Sequence, residues 1–300
     1  MKKGSYGSFY PEIKNMKKLI IILGTVSISL SAIFARLATA PSMILVFYRM
    51  LFACLLLLPV LFVRCREELR GIQKKDIFLC ACSGLFLGMH FTLYFESLKY
   101  TSIAASVVLV NLEVFFVAIF LFCRYREKIP VKGVMGIIAA FFGTLLIAVA
   151  DMGSGTNVLF GDILAFGGSL CVAVYTLIGR SCRTHISTSV YTCFVYGFAC
   201  LTVGIAALLS GTAFSGYEPV NYALALGMTV FCTFFGHSIY SWGLKYLKAS
   251  YITTIKLLEP VFASLLGLLI FREIPGVFVI IGGLVVIGGI IYYTRNSESE

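Results

Sequence analysis

Charge is scarce in this sequence. Asp, Glu, Lys and Arg make up 13% of 300 residues, apolar residues 59%, and the mean hydropathy is +0.96. A soluble chain carries about twice that fraction of charge. Soluble catalytic signatures are missing as well: no Walker loop, no dinucleotide-binding glycine loop, no HExxH, no GxSxG. No enzyme activity and no cofactor are therefore expected, and ATP-driven pumping would need a nucleotide-binding partner. Metal-ligand spacing is also lacking. Of ten cysteines only Cys80 and Cys82 are close, and a two-residue offset is wrong for a metal site. Most of the others lie in apolar runs, where a thiol behaves as a small hydrophobe. Neither metal ligands nor disulfides are expected.

What the chain does have is long uncharged runs. Spans are predicted at 19–37, 43–63, 77–97, 102–122, 132–150, 159–179, 188–209, 221–243, 249–270 and 275–293. The expected fold class is all-α integral membrane, with ten helices. The net charge of +10 does not point to nucleic acid, because the basic residues sit in short joints and form no continuous face. Lys17-Lys18 and the apolar run after them resemble a signal peptide. The run is too long and Pro41 follows the small residues, so it reads as an uncleaved first span.

The chain also repeats itself. Leu98–Glu127 matches Leu244–Glu273 without a gap at a shift of 146 residues. Glu113 falls on Glu259, Phe116 on Phe262, and Arg126-Glu127 on Arg272-Glu273. Two five-span repeats follow, 19–150 and 159–293, separated by the polar turn at 151–157. An odd span count turns the second copy upside down. Placing the N-terminus in the cytoplasm puts 19 of the 24 basic residues inside, 3 outside (Arg36, Lys99, Arg272) and 2 within spans (Arg49, Lys256). That asymmetry predicts a cell-membrane protein with both termini cytoplasmic.

The few polar groups inside spans are the candidate site. Lys256 and Glu259 are three apart, on one helix face. They either compensate each other as packing or line a cavity. Pro260 deprives the preceding turn of a hydrogen bond. Glu113 has Val at the place corresponding to Lys256, so no lysine partner is expected. An acid alone in hydrocarbon favours its neutral form, so Glu113 is either a proton carrier or a hydrogen-bonded neutral acid. Asn111, two residues away, is expected to face elsewhere. Arg49 is too deep to snorkel easily and needs a partner, with Glu113, Glu96 and Glu259 in reach. It reads as a clamp or as an anion binder. His90 and His237 read as proton relays or as interhelical hydrogen bonds, with Tyr94 beside them. His237 is one residue out of register with the copy of His90.

These residues resemble the drug/metabolite transporter superfamily, in its EamA-like ten-span branch. The marks are Phe47-Tyr48-Arg49, the stretch 88–116, and 244–273 with Glu259-Pro260 and Arg272-Glu273. The first copy departs from the pattern, with Val114 where the family often has proline. The resemblance implies two inverted five-helix repeats, a central cavity, alternating access, and usually export of small metabolites, amino acids or drugs. The expected function is secondary transport, as an exporter, of a small polar or amphipathic metabolite, with proton coupling open. The alternatives are an electroneutral exchanger and a non-transporting receptor or assembly protein. Expected partners are the solute, protons or a counter-solute, and lipid; a monomer or homodimer is expected.

Overall fold

A computed structural model describes residues 9–101, 103–126, 129–150, 157–272 and 274–296. Most of the polar turn at 151–157, together with Glu127 and Glu273 of the repeat marks, lies outside the described residues. Every element among the described residues is helical: α1 (Phe9–Leu37), α2 (Ser42–Arg64), α3 (Arg66–Gly71), α4 (Lys74–Ser97), α5 (Ile103–Val110), α6 (Glu113–Tyr125), α7 (Val131–Ala150), α8 (Val158–Cys182) and α9 (Thr188–Leu209). Then come α10 (Pro219–Gly227), a π-helix (Met228–Ser238) and α11 (Ile239–Gly243), which make one rod. α12 (Ala249–Lys256), α13 (Glu259–Phe271) and α14 (Val277–Asn296) complete the chain. Helices suit these apolar runs because lipid leaves a backbone no partner but itself.

Among the described residues nine segments are long and apolar enough to cross a membrane, and Val131–Ile147 of α7 adds a shorter one. Two features differ from expectation. The joint after α2 carries a short polar helix, α3. Spans four and nine are each broken in two, at 111–112 and 257–258.

The breaks are repeat mates, since 111 and 257 differ by the same 146 residues. Ser42 and Thr188 open α2 and α9 at that shift, and Ala150 and Asn296 close α7 and α14. Pro260 is not the cause of the break, because span four breaks at the same place with Val114 in the proline's position. Both half-helices end on an arginine in the left-handed region, Arg126 at φ 55° and Arg272 at φ 58°. A Cβ there costs about 1–2 kcal/mol. Arg272→Gly is expected to stabilise the protein by about 1 kcal/mol, read as a higher unfolding temperature in detergent.

The two copies meet along α7 and α14. A Cβ on Gly143 would lie 2.6 Å from the carbonyl oxygen of Gly282, and one on Gly136 2.8 Å from that of Gly289. Gly136 maps onto Gly282 and Gly143 onto Gly289. The repeat shift therefore carries each contact onto the other, as it must for an antiparallel pair astride a twofold axis.

The bundle has two distinct ends. At the near end lie α3, the start of α4, and the loop from α8 to α9. Arg183, 2% exposed, donates from Nε to Ser241 O at 3.0 Å, from Nη2 to Thr188 Oγ1 at 2.6 Å, and from Nη1 to Ile186 O. Glu68 accepts the Ser187 N–H at 2.6 Å, and His185 Nε2 meets Asp76 Oδ1 at 2.9 Å. These bonds tie the near end shut. At the far end, Asn221 Oδ1 accepts the N–H groups of Thr39 and Ala40, both at 2.9 Å, and pins the α1–α2 loop to α10.

Candidate functional site

A cavity of about 640 Å³ lies at the depth of the two helix breaks. Its lining reaches Ala35, Ser42 and Leu98 at the far end and includes no residue of α3 or of the loop from α8 to α9, so it extends toward the far end. α5 and α13 stand on either side of the opening. Their repeat mates, α12 and α6, pack together on the near side and close it. The eight side chains singled out in the sequence all border this space.

Their pairing differs from the sequence expectation. Lys256 does not bond Glu259. Its Nζ donates to both oxygens of Glu113, at 3.0 and 2.8 Å, across the boundary between the copies. Thr176 Oγ1 of α8 donates to the same carboxylate at 2.6 Å. The break at 257–258 is the reason, since it turns Lys256 away from the helix that carries Glu259. Glu113, expected to lack a lysine, therefore has one. Both partners are buried, at 7% and 4% exposure, so the ion pair offsets a large desolvation cost. Lys256 Nζ also lies 5.2 Å from the centre of the Tyr240 ring.

Glu259 is left over. Its backbone oxygen accepts from Ser29 Oγ at 3.2 Å, but its carboxylate has no hydrogen bond or ion pair among the described residues. Arg49 is left over too. It forms no ion pair with Glu113, Glu96 or Glu259, and Glu96 instead bonds Lys99 at 2.7 Å. Arg49 donates from Nε to Thr233 Oγ1 at 2.7 Å and stacks 4.8 Å above the Phe91 ring. Its Nη2 is buried with no partner. A buried cationic N–H without an acceptor is costly, because the desolvation of the charge is not repaid.

Asn111 was expected to face away from Glu113. The break at 111–112 rotates the chain between them and brings both to the cavity. Asn111 Nδ2 and His237 Nδ1 are buried without partners, like Arg49 Nη2. His90 is different: its Nδ1 meets Gly168 O of α8 at 3.0 Å. A carbonyl only accepts, so Nδ1 carries the proton and Nε2 is the acceptor. His90 also stacks on Tyr94, with centroids 6.1 Å apart and planes at 3°. His237 sits at the end of the π-helix, whose wider turn shifts side chains relative to the unbroken α4. Its repeat mate is Phe91, and the two rings meet edge to face at 5.3 Å.

Sequence reasoning missed Thr176, Thr233 and Phe91. Only Thr233 had a signal, lying one helical turn before His237. Thr176 orders an acid 63 residues away, which no local pattern reveals.

The EamA-like transporter family model matches residues 16–149 and again 159–295. The chain belongs to the EamA-like transporter family. Among relatives of this EamA-like protein is YetK of Bacillus subtilis, named an uncharacterized transporter. It is 31% identical over 252 residues, which are 81% of this chain and 75% of YetK. An uncharacterized transporter of Archaeoglobus fulgidus is 26% identical over 264 residues, 85% of this chain and 88% of that one. A solved structure titled only as the crystal structure of a protein superposes with a TM-score of 0.76 at 16% identity. The match covers 94% of this chain and 98% of that one, and it shows a shared fold.

Proposed function

We propose that this EamA-like protein is a secondary transporter that exports a small polar or amphipathic metabolite by alternating access. One observation carries the reading. A cavity that reaches the far end and is backed on the near side by the packed α12 and α6 lies at the depth of two mate-related helix breaks, lined by Arg49, whose Nη2 is buried without a partner, and by Glu259, whose carboxylate is without one among the described residues. Such breaks place irregular backbone beside a solute without exposing it to lipid. In this reading an anionic group of the solute takes Arg49, and a cationic group or a proton takes Glu259. Glu113 is a poorer proton carrier, because Lys256 and Thr176 already occupy it. The distribution of basic residues supports a cytoplasmic near end in the cell membrane, with the cavity open outward.

The test is flux. Purified protein in liposomes is expected to move members of a panel of labelled metabolites, faster with a pH gradient than without. Glu259→Gln should remove the gradient's effect, and Glu113→Gln should change it less. No flux for any compound would end the transport reading and favour a receptor. A second reading, electroneutral exchange, draws support from the charge balance of the cavity, where Arg49 and Lys256 offset Glu113 and Glu259. Counterflow unaffected by any pH gradient would decide for it.

A further inference from the structure

We infer that Lys256 is a mobile internal counter-ion, bonded to Glu113 in the access state seen here and to Glu259 in the opposite one. The inference rests on the transport reading for the existence of two access states. It begins from the repeat. In an inverted-repeat protein the opposite state is reached when each copy takes the conformation of the other. Contacts in the second state are then obtained by exchanging mates. The packed pair α12–α6 becomes α5–α13, which closes the far end, while α12 and α6 separate and open the near end.

The ion pair does not survive this exchange. The contact of Lys256 with Glu113 maps onto a contact of Val110 with Glu259, and valine supplies no charge. Val110 lines the cavity now, at the open side, as Lys256 would in the opposite state. An ammonium stripped of Glu113 at mid-membrane depth would be left unpaired, at a cost of several kcal/mol. Glu259 is the nearest substitute, three residues along the same chain and joined by the turn at 257–258. It has no competing partner among the described residues.

The exchange gives the single lysine a role that a static pair lacks. With Lys256 on Glu113, Glu259 faces the cavity alone. With Lys256 on Glu259, Glu113 takes that place. The solute therefore meets one uncompensated carboxylate from either side of the membrane, although the two copies carry different residues at 110 and 256. Around these acids stand Arg49 of α2, His237 of the π-helix, His90 and Tyr94 of α4, Asn111, Ser31, Thr176 on Glu113 and Tyr240 by Lys256.

The test needs no solute. Hydrogen–deuterium exchange of the full chain in nanodiscs reports each end through peptides covering 35–45 at the mouth and 181–191 at the sealed end. Removing the present partner, by Glu113→Gln, should raise exchange over 181–191 by about tenfold and lower it over 35–45. Removing the other partner, by Glu259→Gln, should not raise exchange over 181–191. The double variant Lys256→Met, Glu113→Gln takes the pair away from both states alike and should leave exchange over 181–191 near that of the wild type, whereas a pair that only locks the present state would make it rise as in Glu113→Gln. It supplies the answer if the single variant fails to fold, which protection along α7 and α14 reports. Unchanged exchange over 181–191 in Glu113→Gln, or a tenfold rise there in the double variant, would overturn the inference. So would an equal rise in Glu259→Gln. Liposome flux judges the transport reading separately, because a protein that moves no solute can still show or lack this pattern.

Discussion

Lys256→Met is expected to lower the unfolding free energy by about 3–5 kcal/mol. The methionine fills the space of the lysine stem but leaves the Glu113 carboxylate buried with only the Thr176 hydroxyl. The loss comes from the orphaned acid, because a well-packed apolar pair is often as stable as a buried ion pair. Lys256→Met, Glu113→Gln should therefore recover most of the loss, and Glu113→Gln alone should cost less than Lys256→Met. A double-mutant cycle on reversible unfolding in mixed micelles measures this. Additive effects would show that the two residues do not act on each other in the folded protein. The pairing of Lys256 with its own helix neighbour makes a different forecast, namely coupling to Glu259.

The second large effect concerns Arg49. Arg49→Gln is expected to weaken the apparent affinity for a transported anionic or zwitterionic metabolite by roughly ten- to hundredfold, the loss of one or two charge-assisted hydrogen bonds. Arg49→Lys should not restore it. The guanidinium is held by Thr233 at one nitrogen and by the Phe91 ring on its plane, which leaves Nη2 buried without a partner at the edge of the cavity that Arg49 lines. An ammonium has neither the fork nor the flat face. Concentration-dependent counterflow in liposomes measures the change. Equal affinities in wild type and Arg49→Gln would make the arginine a packing residue only.

The fold was legible because lipid simplifies the code. Runs such as 188–209 need only be long and uncharged to be read as spans, and the repeat shift put α9 at the place where α2 predicted it. The residues of the site were legible for the same reason, since a charged or amide group within such a run stands out. What they bond to was not legible. The sequence places Lys256 one turn from Glu259, and helical periodicity pairs them. The breaks at 111–112 and 257–258 cancel that periodicity, and no residue common to both copies announces them. Proline follows Glu259 but valine follows Glu113, and both spans break. The partners Thr176 and Thr233 come from other helices. Their distances along the chain, 63 residues from Glu113 and 184 from Arg49, carry no periodic signal.

The seam of α7 and α14 has a mechanical consequence. A Cβ on Gly143 would fall 2.6 Å from the Gly282 carbonyl oxygen and one on Gly282 2.6 Å from that of Gly143, so the two backbones approach directly at these glycines, with Val286 and Ile147 seated beside them. Helices that change partners need interlocking side chains that can disengage and lock again one turn further on. At these glycines the backbones themselves meet and resist such a shift, so in the transport reading this pair is the fulcrum about which the remaining helices rock.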